Sequence, residues 1–280
     1  DRLWVTVHVS DDEAHDIWAD GVGFPVERIQ RLDEDNFWEM GETGPCGPCS
    51  ELFYDFGPGL GPDGGPANPE AEDRFIEIWN LVFTQYYRGA DGALTDLPSK
   101  NVDTGAGLER LLGVLQDDPS LYAADSVSRM VDAAQSITGR RLGAAPDSDV
   151  ALRLLADHAR TMTFLIADGV IPSNEERGYV LRRIIRRAVR YAFLLGTEQL
   201  VMPRLVETAI DVMGNAYPDV VKNRDFIVGV LTREEERFRH TLKTGLSILD
   251  DELTGGDSLS GSTAFVLHDT YGFPLELTQE

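Results

Sequence analysis

The apolar residues of this 280-residue chain change their period near Asp117. Ahead of that point the apolar segments read as strands. Residues 75–87 are rich in aromatic and β-branched types, and residues 3–9 open the chain in the same manner. Beyond it, Val127, Met130, Val131 and Ala134 recur at helical spacing, as do Ala151, Leu154, Leu155, His158, Met162, Leu165 and Ile166. The change predicts an α+β chain in two parts, a mixed region over 1–116 and a mostly helical region over 117–280. In the first part a short helix is expected over 12–19. A Gly/Pro-rich surface loop is expected over 57–70, a hairpin-like turn at Gly89 and Asp91-Gly92, and a helix over 105–116. In the second part helices are expected over 176–195, from Pro203, and over 225–253. The last carries Ile227, Leu231, Phe238, Leu242, Leu249 and Leu253 inward. Residues 264–269 read as a strand.

Composition narrows the class. Hydrophobic residues make up 42% and charged residues 26% of the chain, which is ordinary for a globular protein. No apolar run approaches the ~18 residues of a membrane helix and no signal peptide opens the chain, so a cytoplasmic protein without a membrane partner is expected. With only two cysteines, Cys46 and Cys49, a disulfide-stapled fold is not expected. The first residue is not Met and the first strand begins at once, so the chain reads as a segment of a longer protein. A net charge of −23 argues against nucleic acid taken alone. The charge is uneven, however: residues 151–190 hold 8 basic and 4 acidic side chains. A basic island in an acidic chain is an electrostatic footprint for phosphate.

Four constellations could carry chemistry. In 103–110 (DTGAGLER) glycines let a backbone approach a ligand, and Arg110 stands beside a glycine-rich helix start suited to phosphate. Leu108, Leu111, Leu112 and Leu115 are expected to form the buried helix face, with Arg110 turned away from it. A surface arginine after a Gly-rich helix start fits the same residues. In 76–83 (IEIWNLVF) strand parity puts Ile78, Asn80 and Val82 on one face; Asn80 either meets a ligand or satisfies a neighbouring backbone group. Cys46-Gly-Pro-Cys49 invites a redox reading, against a tight turn with two buried thiols. Finally Arg182, Arg186 and Arg190 repeat every four residues, with Arg183 and Arg187 beside them. They either pair with this protein's own carboxylates or meet a phosphate backbone.

Taken in order, NFWEMGETGPCGPCSELFYDFG, EIWNLVFTQYYR, LPSKNVDTGAGLERLLGVLQ, ADHARTMTFLIADGVIPSNEERGYVLRRIIRRAVR and LHDTYGFPLELT resemble the alanyl-tRNA synthetases over nearly the whole chain. The resemblance implies the latter part of a class II catalytic domain, with an antiparallel sheet, over 1–116 and a helical tRNA acceptor-stem recognition region over 117–280. It makes 103–110 the class II motif 3, so that Arg110 and Gly107 would bind ATP and Asp103 would hold the α-ammonium of L-alanine. Asp103 and Arg110 are then the catalytic pair. Trp38, Asn80, Val82 and Gly105 would shape the alanine pocket with Asp103. Asn174 and Asp269 would read the G·U pair of tRNA(Ala), and Arg182, Arg183, Arg186, Arg187 and Arg190 would contact its phosphates. The implied reaction uses ATP with Mg2+. Class II motifs 1 and 2 and the editing domain, where zinc is expected, are not found in this stretch, and no metal ligands are expected within it. A narrower reading makes the segment only an acceptor-stem binding module. Oligomeric state is not legible.

Overall fold

The computed structural model describes residues 1–254, 259–269, 273 and 278. The chain forms two compact units, Asp1–Ala124 and Asp125–Glu280. Segment 117–124, which includes a 3-10 turn at Leu121–Ala123, stays with the first unit.

Among the described residues the first unit is built on a six-stranded mixed sheet. Its strands are β1 (Leu3–His8), β2 (Ile29–Leu32), β3 (Phe37–Glu39), β4 (Gly44–Asp55), β5 (Phe75–Arg88) and β6 (Leu94–Ala106). The order is β2-β1-β4-β5-β6, and β3 pairs with β4. All pairings are antiparallel except β1 with β2. Parallel pairing requires a crossover; helix α1 (Asp12–Asp16) and the π turn Ile17–Gly21 lie in that connection. Asp11 caps α1 by accepting from the Ala14 amide at 2.9 Å, and Asp12 and Glu13 occupy its first turn, where carboxylates suit the helix dipole. On one side of the sheet Val5, Val7 and Ala14 are buried, with Trp18, Phe24, Ile29, Leu52 and Phe83 packed around them.

At Gly47 the backbone of β5 lies hard against β4. A Cβ there would lie 2.1 Å from the Phe83 carbonyl oxygen, a contact no side chain can yield to because the obstacle is backbone. Gly47→Ala is therefore expected to destabilise the protein by about 1–3 kcal/mol through overpacking. A urea-denaturation midpoint equal to that of the parent would contradict the close approach.

Two expectations for the end of this unit are corrected. The helix does not begin at 105: Gly105 and Ala106 still pair with Asn80 and Trp79, and α2 starts at Leu108 (Leu108–Gln116) with Gly107 in an extended cap conformation. Ladder hydrogen bonds hold those residues in β6, which local glycine content could not reveal. The expected apolar face is also wrong, since Leu108 and Leu115 are 62% and 82% exposed. The helix turns Gly113 inward and ties Arg110 to β5, whose Glu77 carbonyl oxygen accepts from Arg110 Nη1 at 2.8 Å. The polar tether and the small glycine set the rotation of α2 instead of the leucines.

The second unit is helical: α3 (Asp125–Thr138), α4 (Pro146–Ala167), α5 (Glu176–Leu194), α6 (Met202–Met213), α7 (Pro218–Lys222), α8 (Arg224–Leu253) and α9 (Gly261–Asp269). Proline at the first turn starts α4, α6 and α7, where its missing N–H costs nothing. Gly169 and Gly196, with φ of 90° and 84°, follow α4 and α5, as helix-ending glycines do. One apolar core joins Leu155 and Met162 of α4, Leu181 and Ile185 of α5, Leu205 of α6, and Leu231 and Phe238 of α8. Leu253, expected inside, is 46% exposed at the end of α8. The strand expected over 264–269 is helix α9. Ser260 Oγ accepts from the Thr263 amide at 3.1 Å, and an N-cap of this kind outweighs the β propensity of Phe265 and Val266. Residues 255–258, which follow α8 in sequence, and most of 271–274 lie outside the described residues.

Candidate functional site

In the first unit the antiparallel register lines up two rungs of side chains. Thr6, Glu51, Asn80 and Gly105 stand directly opposite one another across β1, β4, β5 and β6. The next rung holds Cys49, Val82 and Asp103. Side chains directly opposite in a sheet share a face, and so do residues two apart on a strand. Four of the sequence-predicted pocket residues, Asn80, Val82, Asp103 and Gly105, thus come to one face. Val82 is buried, while Asp103 and Gly105 on the outer strand β6 are exposed. Trp38 pairs with Gly47 in β3–β4 and is 36% exposed. The opposite face carries Trp79, whose Nε1 donates to Thr104 Oγ1 at 2.6 Å.

Further polar groups stand in and beside these rungs, and of them the sequence pattern marked only Cys49. Glu51 is 9% exposed, and its Oε1 accepts from Asn80 Nδ2 at 2.7 Å. Burial, followed by the neighbouring carboxylates of Glu77 and Asp35, pushes the Glu51 carboxyl up to about 7. Cys49 is buried beside it, and burial together with the charge of Glu51 pushes its thiol up to about 12. Asn36, fully buried, donates from Nδ2 to the Cys49 carbonyl oxygen at 3.2 Å. Nothing local marks Glu51. Its sequence neighbours read as an ordinary strand, and its partner lies 29 residues away.

Cys46 and Cys49 are free and buried. They do not sit in a tight turn, as one sequence expectation had it, but inside strand β4. The register shift of β4 against β5 between them accommodates Pro48, because an irregular rung tolerates a residue without an N–H. A redox motif needs a reachable thiolate; both sulfurs are buried, and burial pushes the Cys49 thiol up.

Gly107 is the cap residue of α2 and donates its amide to the Ile78 carbonyl at 3.3 Å. Arg110, one turn on, donates from Nη1 to both the carbonyl oxygen and the carboxylate of Glu77, at 2.8 and 3.0 Å. Its side chain remains 42% exposed. The guanidinium is anchored through one nitrogen, and the rest of its fork of donors is available to an anion.

In the second unit the loop before α5 carries Asn174, which is exposed. Arg182 Nη1 donates to Asn174 Oδ1 and Arg182 Nη2 to the Pro172 carbonyl at 3.1 Å. The Ser173 amide donates to the Gly178 carbonyl at 3.0 Å. A Cβ at Gly178 would lie 2.5 Å from the Ile171 carbonyl oxygen, so the loop closes onto α5 only with glycine there. The arginine row divides. Arg182 and Arg186 reach the buried Glu234 of α8 at 3.1 and 3.2 Å, and the Arg186 guanidinium lies over the Phe238 ring. Arg183 and Arg187 are exposed, and Arg190 is half-buried. The cationic side of α5 therefore both pairs inward and faces out. Asp269 ends α9; its side chain lies outside the described residues.

The family model for tRNA synthetases class II (A) matches residues 1–280. The alanine–tRNA ligase of Acidothermus cellulolyticus is 52% identical over the whole chain, which corresponds to 32% of that protein. The alanine–tRNA ligase of Natranaerobius thermophilus is 50% identical, again over the whole chain and 33% of its own length. The chain thus spans about a third of the length of these curated relatives. With a match of the family model from the first residue to the last, and an α+β architecture to go with it, the chain belongs to the class II (A) tRNA synthetases.

Proposed function

We propose that this chain is the part of an alanine–tRNA ligase that completes the amino-acid pocket and grips the tRNA acceptor stem. The observation that supports the pocket is the register: Asn80, Val82, Asp103 and Gly105 occupy adjacent rungs of one sheet face. Asp103 would receive the α-ammonium of L-alanine, and Trp38, Asn80, Val82 and Gly105 would shape the small pocket around it. Such a pocket excludes larger side chains by size and discriminates weakly against glycine and serine. ATP would lie with its phosphates toward Gly107 and Arg110, bringing Mg2+ with it as part of the substrate. An alanine carboxylate oxygen then attacks the α-phosphorus and pyrophosphate leaves. The terminal adenosine hydroxyl of tRNA(Ala) next displaces AMP from the alanyl carbonyl. The protein's share is positioning and charge stabilisation.

In the second unit Asn174 and Asp269 would read the G·U wobble pair by hydrogen bonds to base edges. Arg182, Arg183, Arg186, Arg187 and Arg190 would form a cationic side toward the phosphates, with Arg183 and Arg187 as its exposed members. A cytoplasmic location goes with this activity; among the described residues no helix is long and apolar enough to cross a membrane.

Alanine-dependent ATP–pyrophosphate exchange on the full-length protein tests the pocket. Asp103→Ala is expected to abolish it, and full exchange in that variant would remove Asp103 from the site. An acceptor-stem minihelix separates the ligase from a segment that only binds tRNA. Exchange absent but minihelix binding retained would leave the binding module. Equal affinity for G·U and G·C stems would dismiss Asn174 and Asp269 as readers, and a salt-independent affinity would dismiss the arginines.

A further inference from the structure

The Asn80 amide has two ends, and the structure accounts for only one of them. Its Nδ2 donates to Glu51 Oε1 at 2.7 Å. Its Oδ1 is buried and has no hydrogen-bond partner. A carboxylate offers acceptors alone, so it orders the amide with nitrogen toward Glu51 and oxygen away from it. A buried acceptor left in this condition costs free energy, which a ligand donor would recover. Asp103 lies diagonally across the β5–β6 pair from Asn80, since Val82 faces Asp103 and Asn80 faces Gly105. Diagonal residues on one face are near enough to share a small ligand.

We propose that Glu51 is a positioning residue of the amino-acid pocket. It holds the Asn80 amide with Oδ1 turned to the substrate, so that Asn80 and Asp103 together accept hydrogen bonds from the α-ammonium of a small amino acid. The inference rests on the ligase reading above and adds to it a residue outside the set assigned to the pocket. Glu51 is suited to the task because it is nine-tenths buried and cannot turn away. Thr6 flanks it on β1, Cys49 on its own strand, and Asn36 beside Cys49. The charged groups that face it are the carboxylates of Glu77 and Asp35, and Glu77 is itself paired with Arg110.

The arrangement depends on the charge of Glu51. Once protonated, Glu51 becomes a donor; the amide can then reverse and give its oxygen to the Glu51 O–H, which leaves the ammonium facing an N–H. With the carboxyl held near 7 by burial and by Glu77 and Asp35, the pocket is ordered above that pH and disordered below it. The Michaelis constant for alanine must therefore rise as pH falls through about 7.

The experiment is alanine-dependent ATP–pyrophosphate exchange on the full-length protein, with KM for alanine and for ATP measured across that pH. Glu51→Gln, neutral at every pH, is expected to raise KM for alanine roughly ten-fold at alkaline pH, the scale of one charge-assisted hydrogen bond. It should also abolish the acid rise and leave KM for ATP unchanged. A wild-type KM for alanine that does not vary with pH overturns the proposal, as does a Glu51→Gln variant that keeps the acid rise. If Glu51→Gln does not fold, Asn80→Ser decides: with the relay removed the acid rise should vanish, and its persistence overturns the role of Glu51. A wild-type protein without any alanine-dependent exchange overturns the ligase reading and this proposal together, which no result on Glu51 alone can mimic.

Discussion

Glu235→Ala is expected to lower the stability of the protein by about 3–5 kcal/mol, the scale of breaking one partner out of a buried charge pair. Glu235 is fully buried on α8. Its carboxylate accepts from the Val201 amide at 2.9 and 3.1 Å and from the Met202 amide at 2.8 Å. Those are the amides at the start of α6, where a helix has N–H groups without intrahelical partners and a positive dipole end. Arg239 Nε donates to the same carboxylate at 2.8 Å and Arg239 Nη1 to the Thr197 carbonyl at 2.8 Å. One side chain thus caps α6 from a neighbouring helix and neutralises a buried arginine. Alanine would strand two buried amides and one guanidinium together. Glu235→Gln keeps an acceptor oxygen and the side-chain shape, so its loss should be smaller. Urea denaturation followed by circular dichroism measures both. A loss below about 1 kcal/mol for the alanine variant, the range of an ordinary substitution, would mean that the carboxylate contributes little.

Arg110→Ala is expected to reduce alanine-dependent pyrophosphate exchange of the full-length protein by about 10²–10³-fold, the magnitude of removing one preorganised charge donor from a reacting phosphate. In the proposed reading ATP meets an arginine already anchored. Glu77 holds Nη1 through its carbonyl and its carboxylate, so little side-chain freedom is left to lose when the phosphate binds. Arg110→Lys keeps the charge but loses the planar fork, and its activity should fall between the two. The defect belongs in the nucleotide step, so the affinity of the protein for an acceptor-stem minihelix should not change. An Arg110→Ala protein with undiminished exchange would move ATP elsewhere; one that loses minihelix binding as well would point to misfolding instead.

The two predictions concern arrangements that differ in how far they could be read in advance. Helix α8 was legible because its apolar residues Ile227, Leu231, Phe238, Leu242 and Leu249 repeat at the helical period and are buried. That Glu234 and Glu235, adjacent on it, would hold α5 arginines and the start of α6 respectively was not legible, because neither partner is near in sequence. The arginines of α5 were visible as a cationic row. Which of them pair inward and which face out depends on Glu234 of α8.

Local sequence carried the strand and helix character of the two units, through periods of two and of three to four, and the common face of Asn80 and Val82, through strand parity. It also carried the family resemblance, because long ordered segments keep their residue types. Three things were decided only by tertiary structure. Strand pairing kept Gly105 and Ala106 in β6 and delayed α2 to Leu108. The Glu77 tether turned Arg110 toward the sheet and left Leu108 outside. The register of β4 on β5 set Glu51 against Asn80. In each case the reason is the same: a residue's own pattern fixes its local conformation and the side it faces along its element, whereas its partner across the sheet or on another helix is chosen by register and packing, which no local window of sequence contains.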